Sequence, residues 1–194
     1  MKNTPAGTII YLHGFMSMGD SPKSQALKQA FGTNNVIAID LPIHPVDVIK
    51  TIDKIVRQIK VFPIVFVGTS LGGFYANYFA QKYDCPGILV NPASVPSKTL
   101  YRAIGYNQSH KTGKDVLWTL EDVEQLAVME KEVSTIHSGG LVNLFVAKDD
   151  EIIDAEETLG NYPYTVSTKV YDQGGHRFEN NWNDVVDRVR EILS

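Results

Sequence analysis

Short apolar runs rich in β-branched residues recur along the chain, separated by segments of helical period. Thr8-Ile9-Ile10-Tyr11-Leu12, Val36-Ile37-Ala38-Ile39, Ile64-Val65-Phe66-Val67, Gly87-Ile88-Leu89-Val90 and Leu141-Val142-Asn143-Leu144-Phe145-Val146 are almost unbroken. A strand with one wet face alternates apolar and polar residues, whereas a strand covered on both faces need not. A sixth, more mixed run spans Val166 to Tyr171. Between the runs, Pro22 to Phe31, Pro45 to Ile59, Leu71 to Tyr83 and Asn181 to Leu193 carry helical patterns. Ser21 is placed to cap the first of these, with Pro22 at its first position. In the second, Val48, Ile49, Ile52, Ile55, Val56 and Ile59 share one stripe. The alternation predicts an α/β domain: a mostly parallel sheet of about six strands, flanked by helices.

The segment 94–138 breaks this rhythm. It shows no strong strand, turns polar, and contains one helical stretch, Thr119 to Val133, with Thr119 and Asp122 in a capping-box arrangement. An insertion of this length between core strands reads either as a small helical lid over a site or as a surface excursion. With neither repeat nor linker in 194 residues, a single domain spanning 1–194 is expected.

Gly68-Thr69-Ser70-Leu71-Gly72-Gly73 follows the third apolar run and opens the helix from Leu71. This is G-x-S-x-G in the strand-turn-helix setting of a nucleophile elbow, which lifts a serine hydroxyl above the sheet at a helix N-terminus. The alternative is a plain glycine-rich turn. A serine needs a base to become nucleophilic, and the base needs an acid to orient it. Asp149-Asp150-Glu151 follows the fifth run, and Gly174-Gly175-His176 follows the sixth. Loops after parallel strands share one edge of the sheet, so these residues converge on Ser70. Of the five histidines (His13, His44, His110, His137 and His176), only His176 stands between the last strand and the last helix. Asp150 is preferred as the acid, because an apolar pair follows it; Asp149 ranks second, and Asp154 reads as a helix cap. The backbone N–H groups of Phe15, after the first strand, and of Leu71 are expected to form an oxyanion hole. His13 is expected to hold that loop by a side-chain hydrogen bond.

Other features exclude chemistry. No Cys/His cluster has metal-ligand spacing, and neither G-x-G-x-x-G nor a Walker A run occurs, so neither metal nor cofactor is expected. A net charge of -4 gives no reason to expect nucleic acid or an anionic membrane as partner. The single cysteine, Cys85, reads as a buried structural thiol. No signal-like leader and no run of about 18 apolar residues is seen, and a cytoplasmic location is expected. Trp118, Tyr101, Tyr106 and Met129 either line an acyl pocket or form the insertion's own core.

These motifs resemble the α/β-hydrolase superfamily. Tyr11-Leu12-His13-Gly14-Phe15, the Ser70 elbow, Val90-Asn91-Pro92-Ala93, Asp150-Glu151-Ile152-Ile153-Asp154 and Gly174-Gly175-His176-Arg177-Phe178 more narrowly resemble the small bacterial YqiA-type esterases. The resemblance implies a reduced α/β-hydrolase fold, an esterase preferring short acyl chains, and Ser70, Asp150 and His176 as its triad. A thioesterase using the same triad, or a non-catalytic module binding a small ligand, are the alternatives. The substrate is expected to be a small ester or thioester; the oligomeric state stays open.

Overall fold

The computed structural model describes residues 7–135 and 141–194. His137 and the end of the 94–138 segment lie outside the described residues, as does the extreme N-terminus. Six strands build the main sheet: β1 (Thr8–Leu12), β2 (Val36–Ile37), β3 (Ile64–Thr69), β4 (Gly87–Val90), β7 (Val142–Ala147) and β8 (Ser167–Tyr171). Their order is β2-β1-β3-β4-β7-β8, and every pairing is parallel. Helices α1 (Pro22–Phe31), α2 (Pro45–Val56), α3 (Leu71–Tyr83), α5 (Leu120–Thr135) and α7 (Trp182–Leu193) correspond to the expected ones. The shorter α6 (Ala155–Asn161) is the helix that Asp154 was expected to cap, whereas α4 (Pro96–Tyr101) was not expected.

The unbroken apolar runs have a simple cause. Alternate residues of each strand enter two different cores. Ile10, Leu12, Ile64, Phe66, Leu89 and Leu144 pack with α2, α3 and α5 on one face. Ile9, Tyr11, Val65, Val67, Ile88, Val90 and Phe145 pack with Leu27 and Phe31 of α1 and with Trp182, Val185 and Val189 of α7 on the other. Strand β8, at the edge, keeps only partial cover, which explains its mixed composition.

Two expected boundaries shift. Helix α2 ends at Val56 rather than Ile59, and the chain winds down through tighter turns in which Gln58 N–H donates to Ile55 and Ile59 N–H to Val56. Ile59 still packs on the core, so it contributes to the stripe without being helical. Strand β2 pairs only through Val36 and Ile37 before the chain leaves the sheet.

The insertion differs more. It contains an antiparallel hairpin, β5 (Gly105–Gln108) with β6 (Asp115–Trp118), where no strand was expected. Its strands are short, and Tyr106 and Leu117 are exposed, so the run carries no apolar signature. The capping box at α5 is present: Thr119 N–H donates to Asp122 Oδ2 at 2.8 Å and Asp122 N–H to Thr119 Oγ1 at 3.2 Å. Trp118 and Met129 are fully buried in the core, while Tyr101 and Tyr106 are exposed.

Candidate active site

The strand order reverses direction between β1 and β3, the switch point where the loops after parallel strands splay apart and leave a crevice. The loop after β1 and the turn after β3 meet there. Ser70 stands in that turn with φ 56° and ψ -124°. Side chains other than glycine rarely adopt such a backbone, at a cost on the order of 1–3 kcal/mol. Hydrogen bonds over-determine it. Ser70 N–H donates to the Val90 carbonyl at 3.1 Å, and the Ser70 carbonyl accepts from the N–H groups of Gly73, Phe74 and Ala93 at 2.9, 3.2 and 3.1 Å. The flanking glycines are steric necessities: a Cβ on Gly68 would strike the backbone of Gly72, and one on Gly72 would strike the Leu12 carbonyl.

His176 follows β8, and its Nδ1 lies 2.8 Å from Oδ2 and 3.0 Å from Oδ1 of Asp150. A carboxylate only accepts, so Nδ1 carries the proton and Nε2 keeps a lone pair. The Asp150 side chain is 1% exposed and that of His176 16%, leaving the ring some access to solvent and the acid none. Asp150 Oδ1 also accepts from Ile152 and Ile153 N–H, both at 2.8 Å. Of the apolar pair after it, Ile153 is buried and Ile152 half exposed.

The histidine loop is gripped from several sides. Asp149 Oδ1 accepts the Gly175 N–H at 2.7 Å, and Glu151 Oε2 accepts the His176 N–H at 2.9 Å. Those backbone donors hold both carboxyl groups below their ordinary range. From beneath, the buried Asn91 donates from Nδ2 to the carbonyls of Gly175 (2.9 Å) and His176 (3.3 Å), while its Oδ1 accepts the Ala147 N–H at 2.8 Å. Asn91 stands at the end of β4 with φ 42°. Sequence reasoning gave Asn91 no structural role and treated Asp149 only as a rival acid. A polar residue directly after a fully apolar strand was the available signal for Asn91.

The loop after β1 is equally fixed. A Cβ on Gly14 would lie 3.3 Å from Ser70 Cβ, so this loop runs against the serine. The N–H groups of Phe15 and Leu71 have no acceptor among the described residues. His13 is buried; its Nε2 accepts the Leu41 N–H at 2.9 Å, so Nδ1–H donates to the Gly14 carbonyl at 2.8 Å. Burial lowers its pKa below the ordinary histidine value, keeping the ring neutral. With both nitrogens engaged, His13 offers neither a base nor a metal ligand. The insertion also holds this loop. His110 N–H donates to the Met16 carbonyl at 3.0 Å, and Phe15 packs edge-on against Trp118 at 5.0 Å between ring centroids. Of the five non-glycine residues with positive φ among the described residues, Met16, Ser70, Asn91 and Phe178 all flank this site, and only Asp84, at the end of α3, does not.

The remaining tempting residues are accounted for. Asp154 caps α6 by accepting Glu157 N–H at 2.8 Å. His44 pairs with Asp122 at 2.8 Å. Cys85 is half-buried, donates to the Tyr83 carbonyl at 3.2 Å, and has its pKa raised by burial. Among the described residues no group of three or more His, Cys, Asp or Glu is arranged to hold a metal ion, and no helix is long and apolar enough to cross a membrane.

Residues 8–192 match the model of an uncharacterised protein family, UPF0227. The chain belongs to this family. A UPF0227 protein of Pectobacterium atrosepticum is 26% identical over 164 residues, covering 79% of this chain and 83% of that protein. Among solved structures, a putative hydrolase from Agrobacterium vitis superposes with a TM-score of 0.78 at 16% identity, covering 99% of this chain and 90% of that one. A monoacylglycerol lipase from Paleococcus ferrophilus gives 0.73 at 14% identity, covering 97% of each chain. Est1E from Butyrivibrio proteoclasticus gives 0.71 at 15% identity, covering 99% of this chain and 89% of that one. The UPF0227 chain thus has the reduced α/β-hydrolase fold.

Proposed function

We propose that this UPF0227 protein is a serine hydrolase that cleaves carboxylic esters with short acyl groups through an acyl-enzyme. The observation that carries this reading is the Asp150–His176 pair, which fixes the imidazole with its basic nitrogen free, on the same edge of the sheet as the strained Ser70 elbow. Ser70 Oγ attacks the ester carbonyl carbon as His176 Nε2 takes its proton. The oxyanion is held by the N–H groups of Phe15 and Leu71, which have no other acceptor among the described residues. Collapse expels the alcohol, protonated by His176, and leaves an acyl group on Ser70. His176 then takes a proton from water, whose oxygen attacks the acyl carbon, and the carboxylic acid leaves as the proton returns to Ser70.

Names of the structural neighbours (a lipase, a putative hydrolase) accord with this chemistry. The same groups can act on thioesters. The test is hydrolysis of p-nitrophenyl esters from acetate to decanoate, beside a set of acyl thioesters, with Ser70→Ala in parallel. Turnover lost by orders of magnitude in Ser70→Ala supports the reading; equal turnover by both proteins overturns it.

A further inference from the structure

A cavity of about 210 Å³ opens beside the oxyanion loop. Gly14, Phe15 and Leu71 form one wall, Val116 of the hairpin another, and Tyr75 of α3 also lines it. Neither His176, from which the leaving oxygen must take its proton, nor Ser70 lines this cavity, whereas Phe15 and Leu71, which carry the proposed oxyanion donors, do, and so does Gly14, whose backbone runs against Ser70. The cavity therefore suits the acyl half of a substrate. A dry cavity of about 150 Å³ holds benzene, so this one has room for roughly six to eight non-hydrogen atoms.

One atom here has no internal explanation. Tyr75 is 2% exposed, and its hydroxyl is buried with no hydrogen-bond partner among the described residues. Buried hydroxyls almost always find one, because an unpaired one forfeits its bonds to water. Burial, aided by the Asp122 carboxylate, raises the phenol pKa well above its ordinary value, so the group keeps its proton and can donate. That same carboxylate disfavours an anionic acceptor. The cationic side chain at the cavity, Lys111, is already paired with Asp40.

We propose that this cavity is the acyl pocket and that it selects acyl groups carrying a neutral oxygen acceptor (an ether, ketone or hydroxyl oxygen), which takes a hydrogen bond from Tyr75. The inference rests on the ester-hydrolase reading above and adds the class of acyl chain to it. A purely aliphatic chain of the same length leaves the hydroxyl unpaired, so discrimination comes from the unmet donor as much as from the bond gained.

The experiment compares p-nitrophenyl hexanoate with two isosteres in which one methylene is replaced by oxygen, the 3-ethoxypropionate and 4-methoxybutyrate esters. Values of kcat/KM are measured for wild type and Tyr75→Phe and normalised to each ester's spontaneous hydrolysis. The expected result is a preference for at least one oxygenated ester that falls about three- to tenfold in Tyr75→Phe. An identical preference in both proteins overturns the proposal while leaving the esterase reading intact. Absence of Ser70-dependent turnover on all three esters overturns the esterase reading itself, and the acyl selectivity with it. If Tyr75→Phe does not fold, wild type decides: a normalised preference for an oxygenated ester above unity supports the proposal, and unity or less overturns it.

Discussion

The side-chain amide of Asn91 donates to the backbone carbonyl of His176 at 3.3 Å, and to that of the preceding Gly175 at 2.9 Å. Its own carbonyl oxygen holds the Ala147 N–H, at the start of the loop that carries Asp150. One buried side chain thus ties the loop of His176 to the loop of Asp150. Asn91→Asp keeps the shape but turns the donor into an acceptor facing two carbonyls. We expect kcat to fall about 10²-fold with KM little changed, because the base is displaced while the pocket is not. Steady-state kinetics on a p-nitrophenyl ester check this, and Asn91→Gly, which relieves the positive φ but makes no bonds, should show the same split.

Among the three consecutive carboxylates, only Asp150 touches the imidazole. Asp150→Asn is expected to lower kcat about 10⁴-fold, less than Ser70→Ala or His176→Ala. Asp149→Asn should cost far less. Equal losses in Asp149→Asn and Asp150→Asn would reassign the acid.

Ser70 carries a strained backbone that alanine inherits and glycine relieves. Ser70→Gly should therefore unfold at higher denaturant than Ser70→Ala, by about 1 kcal/mol after glycine's extra unfolded-state freedom is subtracted. Ordinarily the order is the reverse, so equal midpoints would argue against stored strain at the elbow.

His13 is buried neutral, with its pKa below the usual 6.5. Its unfolded form binds a proton more readily than its folded form. Stability from this group is complete above pH about 6.5 and is lost as pH falls from there toward the depressed folded value. Urea midpoints of wild type should drop between pH 7.5 and 5.5, and His13→Asn should flatten that drop while lowering stability at pH 7.5.

Asp149 and Glu151 work in the opposite region. Each has a folded pKa below its ordinary value, so the grip on the histidine loop is present above pH about 4.5 and weakens as pH falls through the folded values. Amide exchange of Gly175 and His176 should accelerate below that pH in wild type. In Glu151→Gln the acceleration at His176 should be reduced, since the glutamine oxygen does not titrate.

The sheet was legible because each core strand feeds two apolar layers, which erases alternation and leaves unmistakable runs such as Ile64 to Val67. Ser70 and His176 were legible because each occupies a unique place relative to a strand and a glycine turn. Strands β5 and β6 were not, because exposed residues such as Tyr106 and Leu117 face solvent and a four-residue strand has little room for a pattern. Asn91 was hidden for a different reason. Its partners, Ala147 and Gly175, offer only backbone atoms, and contacts between a side chain and distant peptide groups leave no trace in residue spacing.

The insertion leaves the sheet after β4 and ends before β7, and these two strands are direct neighbours. An insertion with such adjacent roots can be exchanged without disturbing the strands. Here, however, the hairpin turn is fastened to Met16 through His110, and Trp118 packs on Phe15. Any graft that replaces the insertion would also re-aim an amide proposed to stabilise the transition state. On the proposed reading, what is accepted and how fast it reacts are mechanically inherited together.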